Sequence, residues 1–232
     1  MREMGFYFDP TYFLVLIGAV ICLLASAGVN SAMKKYHKVK IERGITGLDC
    51  ARRILDNEGL YDVSVECITG GDHYDPSAKV VRLSTANFYG ASITAVSVAA
   101  HECGHAIQHA KGYAPLSIRT SLVPVVNIGS TLGIPIIFLG VLLSYNQLLI
   151  QIGIWAFGLA VLFQLITLPV EFNASARAVS KLEQFGIVTD TERRGSQKVL
   201  RAAAFTYVAA AASTILQLLR LILLFGGNRN RD

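Results

Sequence analysis

The stretch LVPVVNIGSTLGIPIIFLGVLLSYNQLLIQIGIWAFGLAVLFQLITLPVE, residues 122–171, decides the fold that the sequence predicts. It holds two apolar runs, 122–144 and 148–170, which are separated by a Tyr-Asn-Gln turn and followed by Glu171. Each run reaches the ~20 apolar residues that a helix needs to cross the hydrocarbon core of a membrane. Because two spans return the chain to its starting side, we expect Glu171 on the same side as the residues before 122.

Two more apolar runs, residues 11–30 and 202–225, have the length of a membrane-spanning helix. Hydrophobic residues make up 53% of the 232-residue chain and charged residues only 16%, fewer than a soluble domain carries. The run 11–30 lacks the basic leader of a signal peptide, and acidic Glu3 and Asp9 precede it, so we interpret it as a retained span. The sequence therefore predicts a multi-pass membrane protein with four transmembrane helices.

Lysine and arginine predict the orientation, because they accumulate in loops on the cytoplasmic side of a membrane. Residues 31–121 hold eleven of them and residues 171–201 hold six, whereas the turn between the second and third spans holds none. We therefore expect both segments in the cytoplasm and the protein in the cell membrane. Arg229 and Arg231, after the fourth span, oppose this assignment mildly, and Arg220 within that span is expected to reach towards the outer interface.

The net charge of +5 is accounted for by these basic loops. The chain has no basic stripe with interleaved aromatic residues, so we expect no nucleic-acid partner and expect the lipid bilayer, with its anionic headgroups, as the neighbour. Cys22, Cys50, Cys67 and Cys103 show no paired spacing, which predicts neither a disulfide framework nor a cysteine-based zinc site. The sequence predicts no particular oligomeric state.

The first cytoplasmic segment, 31–121, has the pattern of a small α+β subdomain. Thr46 is a candidate N-cap for the helix GLDCARRILDN, which is expected to end before Gly59. YDVSVECI and VVRLS predict two short strands, and the Gly-rich, Asp-Pro-containing TGGDHYDPSAK between them predicts a turn. VVRLS is expected to lie at the edge of a cleft, where an extended peptide would pair with it.

Two further helices flank the spans. One is predicted from about Ser92 to Lys111, where Gly112 follows. After the third span, EFNASARAVSKLEQFG predicts a helix that closes at Gly186. The tetrapeptide TDTE, residues 189–192, has the pattern of a capping box for a helix that leads into the fourth span.

The first of these helices carries the motif HECGH, residues 101–105. Residues four apart share one helix face, so the imidazoles of His101 and His105 can bind one ion with Glu102 beside them. Neutral imidazoles suit zinc, zinc acidifies a bound water, and Glu102 is the expected general base for amide hydrolysis. Three of the five histidines fall within nine residues, which favours one catalytic zinc ion over a chance match.

A catalytic zinc needs a third protein ligand, for which the chain offers His109 and Glu171. His109 lies eight residues after His101, about 12 Å along a straight helix at ~1.5 Å per residue. Two imidazoles with ~2.1 Å bonds do not readily bridge that distance. A carboxylate at the edge of the hydrocarbon is costly without a partner, and zinc is a good partner. We therefore prefer Glu171 to His109.

With these residues in view, the chain resembles the bacterial YugP-like family of membrane neutral zinc metallopeptidases. The resemblance rests on HECGHAIQHAKGYAPLSIRTSLVPVVNIGS, YFDPTY, GITGLDCARRIL, VVRLS and PVEFNASARA, and it covers nearly the whole chain. The family is distantly similar to the HtpX and Ste24 membrane proteases, which use the same motif and a downstream glutamate. The resemblance implies that His101, His105 and Glu171 bind the metal and that Glu102 is the base.

The chain departs from those distant relatives at one position. They carry an aspartate four residues after the glutamate ligand, where this chain has Ser175. Asn173 and Ser175 are candidate substitutes for that aspartate as an anchor of the ligands.

A hydrolase also needs a donor for the oxyanion that develops during the reaction. Tyr207, Arg177 and His73 are the candidate types. Tyr207 lies near the cytoplasmic mouth of the fourth span, where a tyrosine of the interfacial belt is the alternative interpretation. The alternative interpretation of Arg177 is that it faces lipid phosphates or an acidic neighbour, and that of His73 is a role in turn geometry.

The combined prediction is a mainly α, four-span membrane protein that forms one domain over residues 1–232, with a small zincin-like α+β cytoplasmic subdomain. Its expected activity is that of a gluzincin-like zinc metalloendopeptidase, which cleaves membrane-associated or unfolded protein substrates at the cytoplasmic face. The alternative is a metal-stabilised membrane scaffold or holdase without catalysis. Glu102 argues against that alternative, because a structural zinc gains nothing from a general base.

Overall fold

The computed structural model describes residues 9–226, which form a mainly helical chain with one small sheet. Residues 3, 229 and 231, used above for topology, lie outside this range. The helices and strands in chain order are α1 Tyr12–His37, α2 Gly47–Asn57, β1 Ser64–Ile68, β2 His73–Asp75, β3 Val80–Ser84, α3 Thr85–Phe88, α4 Ile93–Ala110, α5 Ala114–Leu142, α6 Gln147–Gln184 and α7 Asp190–Phe225.

Four of these helices, α1, α5, α6 and α7, are long and apolar enough to cross a membrane, and they match the four expected spans to within two residues, since α1 begins at Tyr12 and α5 ends at Leu142. Each one extends beyond its span. α6 joins the third span and the helix predicted after it, while α5 starts eight residues before residue 122. Helical hydrogen bonds are local, so a helix continues from an apolar into a polar environment wherever no residue breaks it.

The chain divides into two compact units. We call Ala25–Ser121 with Ile166–Val208 the site unit, and the described residues 9–24, 122–165 and 209–226 the apolar unit. The site unit has a continuous hydrophobic core made by α2, β3, α4 and the part of α6 that belongs to this unit. Fully buried members of this core include Ile54, Leu55, Leu83, Ile107 and Leu182.

Capping explains why α2 and α4 begin where they do. Thr46 and Asp49 form a capping box, in which each side chain accepts a hydrogen bond from the backbone of the other. Ser92 accepts from the backbone of Ala95 at the start of α4. Gly112 follows α4 with φ +60°, a left-handed conformation that costs glycine little, so this helix ends as predicted.

The sheet corrects two expectations. Its strand order is β1-β3-β2, with β1 parallel and β2 antiparallel to β3. The strand β2 lies inside the segment predicted as a turn. Its last residue, Asp75, accepts hydrogen bonds from the backbone of Ser77 and Ala78 in the tight turn that follows, and its carboxylate pairs with Arg82 of β3 at 2.7 Å. VVRLS is β3, the central strand. β1 pairs with all five of its residues and β2 pairs with three of them, 80–82, so those three residues have no free edge for a peptide.

The tetrapeptide at the start of α7 forms half of the predicted capping box. The Glu192 carboxylate accepts from the backbone of Thr189 at 2.7 Å. The reciprocal bond is missing, since the buried Thr189 hydroxyl has no hydrogen-bond partner among the described residues. Glu192 instead also accepts from the backbone of Glu42 at 2.8 Å, which ties the chain after α1 to α7.

In the apolar unit, helices meet through small residues. A Cβ added to Gly129 would lie 2.9 Å from the backbone oxygen of Ala156, and one added to Gly18 would lie 2.8 Å from the Ser213 hydroxyl. Glycine therefore allows α5 to approach α6, and α1 to approach α7, at backbone distance.

Arg220 near the end of α7 has specific partners in the apolar unit. Its guanidinium lies 3.5 Å from the Asp9 carboxylate and 4.1 Å from the centre of the Tyr12 ring. The arginine predicted to reach towards an interface thus pairs with an acidic residue and an aromatic ring at the start of α1, which reduces the cost of a charge in an apolar helix.

Candidate metal centre

Two residues of HECGH pack against neighbouring helices: Cys103 faces α2 and Gly104 faces α6. Cys103 is buried and its thiol points at the backbone oxygen of Ala51 in α2. Burial raises the pKa of the Cys103 and Cys50 thiols, so both stay protonated. All four cysteines are free thiols.

Gly104 faces α6 and sets the distance between the two helices. A Cβ at this position would lie 2.6 Å from the backbone oxygen of Ala174, closer than any side chain allows. The missing Cβ lets the α6 backbone approach α4 between the two histidines. Glu171, one turn before Ala174, therefore reaches the imidazoles.

The structure brings His101, His105 and Glu171 together. Oε2 of Glu171 lies 3.2 Å from Nε2 of His101 and 3.6 Å from Nε2 of His105. The three potential ligand atoms all lie within 4.8 Å of one another, and within residues 9–226 this is the one such group of three. Glu171 is only 2% exposed.

The donor set suits a zinc ion. Two imidazole nitrogens and one carboxylate oxygen are the ligands of catalytic zinc sites, which leave the remaining position open. A buried carboxylate is costly unless a cation or donors compensate its charge, and both Nε2 atoms are turned towards this one. Burial lowers the pKa of His105, but the neighbouring Glu171 and Glu102 carboxylates outweigh it and leave that pKa raised. The electrostatic environment therefore favours positive charge at this point.

Glu102 lies beside this group, and with His101 it lines a cavity of about 170 Å³. Glu102 is 8% exposed, so its carboxylate is sheltered from bulk water. Tyr207 lines the same cavity, and most of the remaining lining is apolar. The cavity thus places a carboxylate and a phenol next to the candidate metal ligands.

The other two candidate donors lie elsewhere. Arg177 donates to the Asn173 side chain at 2.8 Å. His73 belongs to β2, with Nδ1 2.9 Å from the backbone oxygen of Gly71. Neither lines the cavity that contains Glu102, so of the three residue types only Tyr207 is brought to it.

His109 is separated from the group. Its Nδ1 lies 2.8 Å from the hydroxyl of Tyr74, on β2. Burial, followed by the charges of Asp62 and Asp75, raises the pKa of Tyr74 to about 12, so this hydroxyl keeps its proton. The structure therefore gives His109 a partner in the sheet rather than at the candidate metal centre.

The residues proposed to replace the aspartate of the distant relatives have different contacts. The Ser175 hydroxyl lies 3.2 Å from Nδ1 of His101, on the side of the ring away from Glu171. The Asn173 side chain accepts from Gln108, and Gln108 in turn lies 3.0 Å from Nδ1 of His105.

Sequence reasoning missed two residues at this site. Gln108 is fully buried although polar, and its position three residues after His105 on one helix was the available signal. Arg119 donates to Oε1 of Glu171 at 3.2 Å from the start of α5. Nothing in the local sequence around Arg119 indicates this contact, because it depends on where α5 leaves the site unit.

Comparisons with known proteins agree with this geometry. A family model described as "Putative neutral zinc metallopeptidase" matches residues 11–226. A Bacillus subtilis (strain 168) protein named "Putative membrane protease YugP" is 48% identical over 222 residues, which cover 95% of this chain and 98% of that protein. No solved structure matches the chain.

Proposed function

The chain belongs to this family of neutral zinc metallopeptidases, and we propose that it is a membrane-embedded zinc metalloendopeptidase of the gluzincin type. The observation that carries the proposal is the convergence of two imidazole nitrogens and one remote carboxylate oxygen within 4.8 Å, next to a second, sheltered carboxylate. Zinc proteases that hydrolyse amides need this combination of three ligands and one base.

In this proposal, His101, His105 and Glu171 hold one zinc ion. When bound there, zinc supplies Lewis acidity, which polarises a carbonyl group and acidifies water. Arg119 neutralises the second oxygen of Glu171, so the carboxylate is held from both sides. The ligands come from two helices, and the Gly104 contact keeps those helices at the required separation.

Glu102 is the general base and then the general acid. It takes a proton from the attacking water and returns that proton to the leaving amine. Tyr207 is the proposed donor to the oxyanion, since its side chain lines the cavity with Glu102 and His101.

The substrate is proposed to be a membrane-associated or unfolded polypeptide. The cavity beside Glu102 is lined in part by Val98, Val199, Leu200 and Ala203, which favours an apolar side chain next to the cleaved bond. The basic segments 31–121 and 171–201 favour a site on the cytoplasmic side of the cell membrane.

The decisive variant is Glu102→Gln in the full chain, purified in detergent and assayed on an unfolded protein substrate. We expect it to bind zinc like the wild type and to lose cleavage by a factor of at least ~100, as expected for loss of a general base. Wild-type cleavage by this variant would contradict the mechanism. Zinc binding without cleavage by the wild type itself would instead support a metal-stabilised scaffold.

The third ligand is tested by a matched pair. Glu171→Ala is expected to lose zinc, and His109→Ala is expected to keep it, both measured by metal analysis after gel filtration. The reverse result would move the third ligand to His109.

A further inference from the structure

A row of polar side chains joins α4 to α6 behind the imidazole of His105. Arg177 donates to Oδ1 of Asn173 at 2.8 Å, and Gln108 donates to the same oxygen at 3.0 Å. Gln108 also donates to the backbone oxygen of Val170 at 2.8 Å, and its Oε1 lies 3.0 Å from Nδ1 of His105.

We propose that Gln108 is a positioning residue that selects the metal-binding tautomer of His105, and that Arg177 acts on the same imidazole through Asn173. The proposal rests on the zinc site proposed above and explains how one of its ligands is prepared.

The orientation of the Gln108 amide follows from chemistry. A backbone carbonyl has no proton to give, so the atom of Gln108 that faces Val170 must be the NH₂ group. The other end of the amide, Oε1, is therefore the atom that faces His105. An amide oxygen only accepts, so Nδ1 of His105 must carry the proton in this contact.

A proton on Nδ1 decides what Nε2 can do. In a neutral imidazole only one nitrogen carries hydrogen, so Nε2 keeps its lone pair. Nε2 is the atom that lies 3.6 Å from Glu171. Gln108 thus holds His105 in the form that can bind zinc through Nε2, the form that a metal ligand needs.

Arg177 extends the same argument by one residue. A guanidinium has only donors, so the Asn173 atom that receives it must be the carbonyl oxygen. That oxygen is then fixed as the acceptor for Gln108 as well. Without Arg177 the Asn173 amide could rotate by half a turn and present its NH₂ group to the NH₂ group of Gln108.

His101 provides the contrast within the site. Its Nδ1 faces the hydroxyl of Ser175, which can donate or accept. This contact orients the ring but does not select a tautomer. His105 is therefore the ligand whose protonation is set in advance, and Gln108, which is fully buried, is the residue that sets it.

The test uses Gln108→Met, Arg177→Met and Arg177→Lys in the full chain in detergent. Gln184→Met is the control, because Gln184 contacts Lys181 and not the site. Zinc affinity is measured by competition with a chromophoric chelator, and the absorption spectrum of the cobalt-substituted protein reports ligand geometry. Thermal unfolding in chelator reports the stability of the metal-free chain.

Gln108→Met is expected to weaken zinc binding about 10- to 100-fold, the range seen when a partner of a metal-binding histidine is removed, and to change the cobalt spectrum. Arg177→Met should weaken binding in the same direction by less, and Arg177→Lys should restore part of the loss. Gln184→Met should match the wild type. If Gln108→Met does not fold, Arg177→Met carries the test alone.

Two results would overturn the proposal while leaving the zinc site intact. One is a Gln108→Met or Arg177→Met protein with wild-type zinc affinity and spectrum. The other is weaker binding with an unchanged cobalt spectrum, which would mean a purely structural role. A wild-type chain that binds zinc no better than Glu171→Ala would overturn both this proposal and the proposed function.

Discussion

The apolar unit leaves many more large apolar side chains exposed than the site unit does. In the site unit, large aliphatic side chains such as Leu55 and Leu83 are fully buried. In the apolar unit, Leu132 is 47% and Ile134 53% exposed, while glycines occupy the helix contacts. The two units therefore differ in how far their large apolar side chains are buried.

We propose that the difference reflects two solvents, water around the site unit and lipid around the apolar unit. Water drives large apolar side chains inward, whereas lipid solvates them as well as a protein core does, so helices in lipid associate through small residues at close range. The packing of the apolar unit is what lipid surroundings predict, and substitutions of the same kind should have unequal effects in the two units.

The largest contrast is expected from leucine truncation. Leu83→Ala, in the core of the site unit, should lower the free energy of unfolding by about 2–5 kcal/mol, since it leaves a cavity. Leu139→Ala, at a position 47% exposed in the apolar unit, should change it by no more than ~0.5 kcal/mol. Chemical denaturation of the detergent-solubilised chain measures both, and equal losses would contradict the two-solvent interpretation.

The next test places a charge on the apolar unit. Ile134→Asp, near the middle of the second span, should oppose membrane insertion by about 3 kcal/mol if this face meets lipid. A face that meets water would accept aspartate with almost no cost. The share of protein that resists alkaline extraction from membranes is the measurement, and Tyr61→Asp, at a position 77% exposed in the site unit, is the control that should insert normally.

Much of the site was predictable because its chemistry is carried by spacing. His101 and His105 share a helix face by their separation alone. The two apolar runs that separate these histidines from Glu171 predicted that the chain returns to the same side, and the structure brings the three residues together. Gln108 offered one local signal, its position three residues after His105. Its contacts with α6 and the contact of Arg119 with Glu171 were not predictable, because local sequence does not encode how α6 and α5 approach the site. The close approach of α6 to Gly104 was not predictable for the same reason.

The fold was predictable where residues signal their own conformation. Thr46, Ser92 and Gly112 marked helix ends, and the structure places those ends there. The four long helices extend beyond the predicted spans, because hydropathy marks the apolar segment and not the residue at which the helix ends. The strand β2 was missed, because it is only three residues long and its flanking Gly-Gly and Asp-Pro pairs are turn formers.

Glycine contacts offer a test with smaller effects on stability. Gly104→Ala and Gly153→Ala each place a Cβ within about 2.6 Å of a backbone oxygen, at Ala174 and Gly133 respectively. Each should cost about 1–3 kcal/mol of stability through overpacking. Only Gly104→Ala should also weaken zinc binding, because it separates the helices that carry the proposed ligands. Metal analysis of both variants checks this, and an equal loss of zinc would remove the special role of Gly104.

The smallest expected effect concerns a charge cluster of the site unit. Glu58, at the end of α2, contacts Lys111 after α4 at 3.1 Å and also contacts Lys181 of α6. Burial raises the pKa of Glu58, but the two lysines outweigh it and hold that pKa below its usual value.

A carboxylate with a lowered pKa in the folded state stabilises the protein above its unfolded pKa, about 4.3, and the stabilisation is lost as the pH falls through the folded value. Glu58→Gln should therefore lower stability by up to about 1 kcal/mol at pH 7 and have a smaller effect at acid pH, as both the folded and the unfolded carboxyl become protonated. Thermal unfolding from pH 3 to 7 measures this difference. The exposed control Glu66→Gln, whose side chain is 54% exposed beside Arg82, should show a smaller one. A Glu58→Gln effect that is unchanged at acid pH would mean that packing at the end of α2, and not charge, explains the contribution of Glu58.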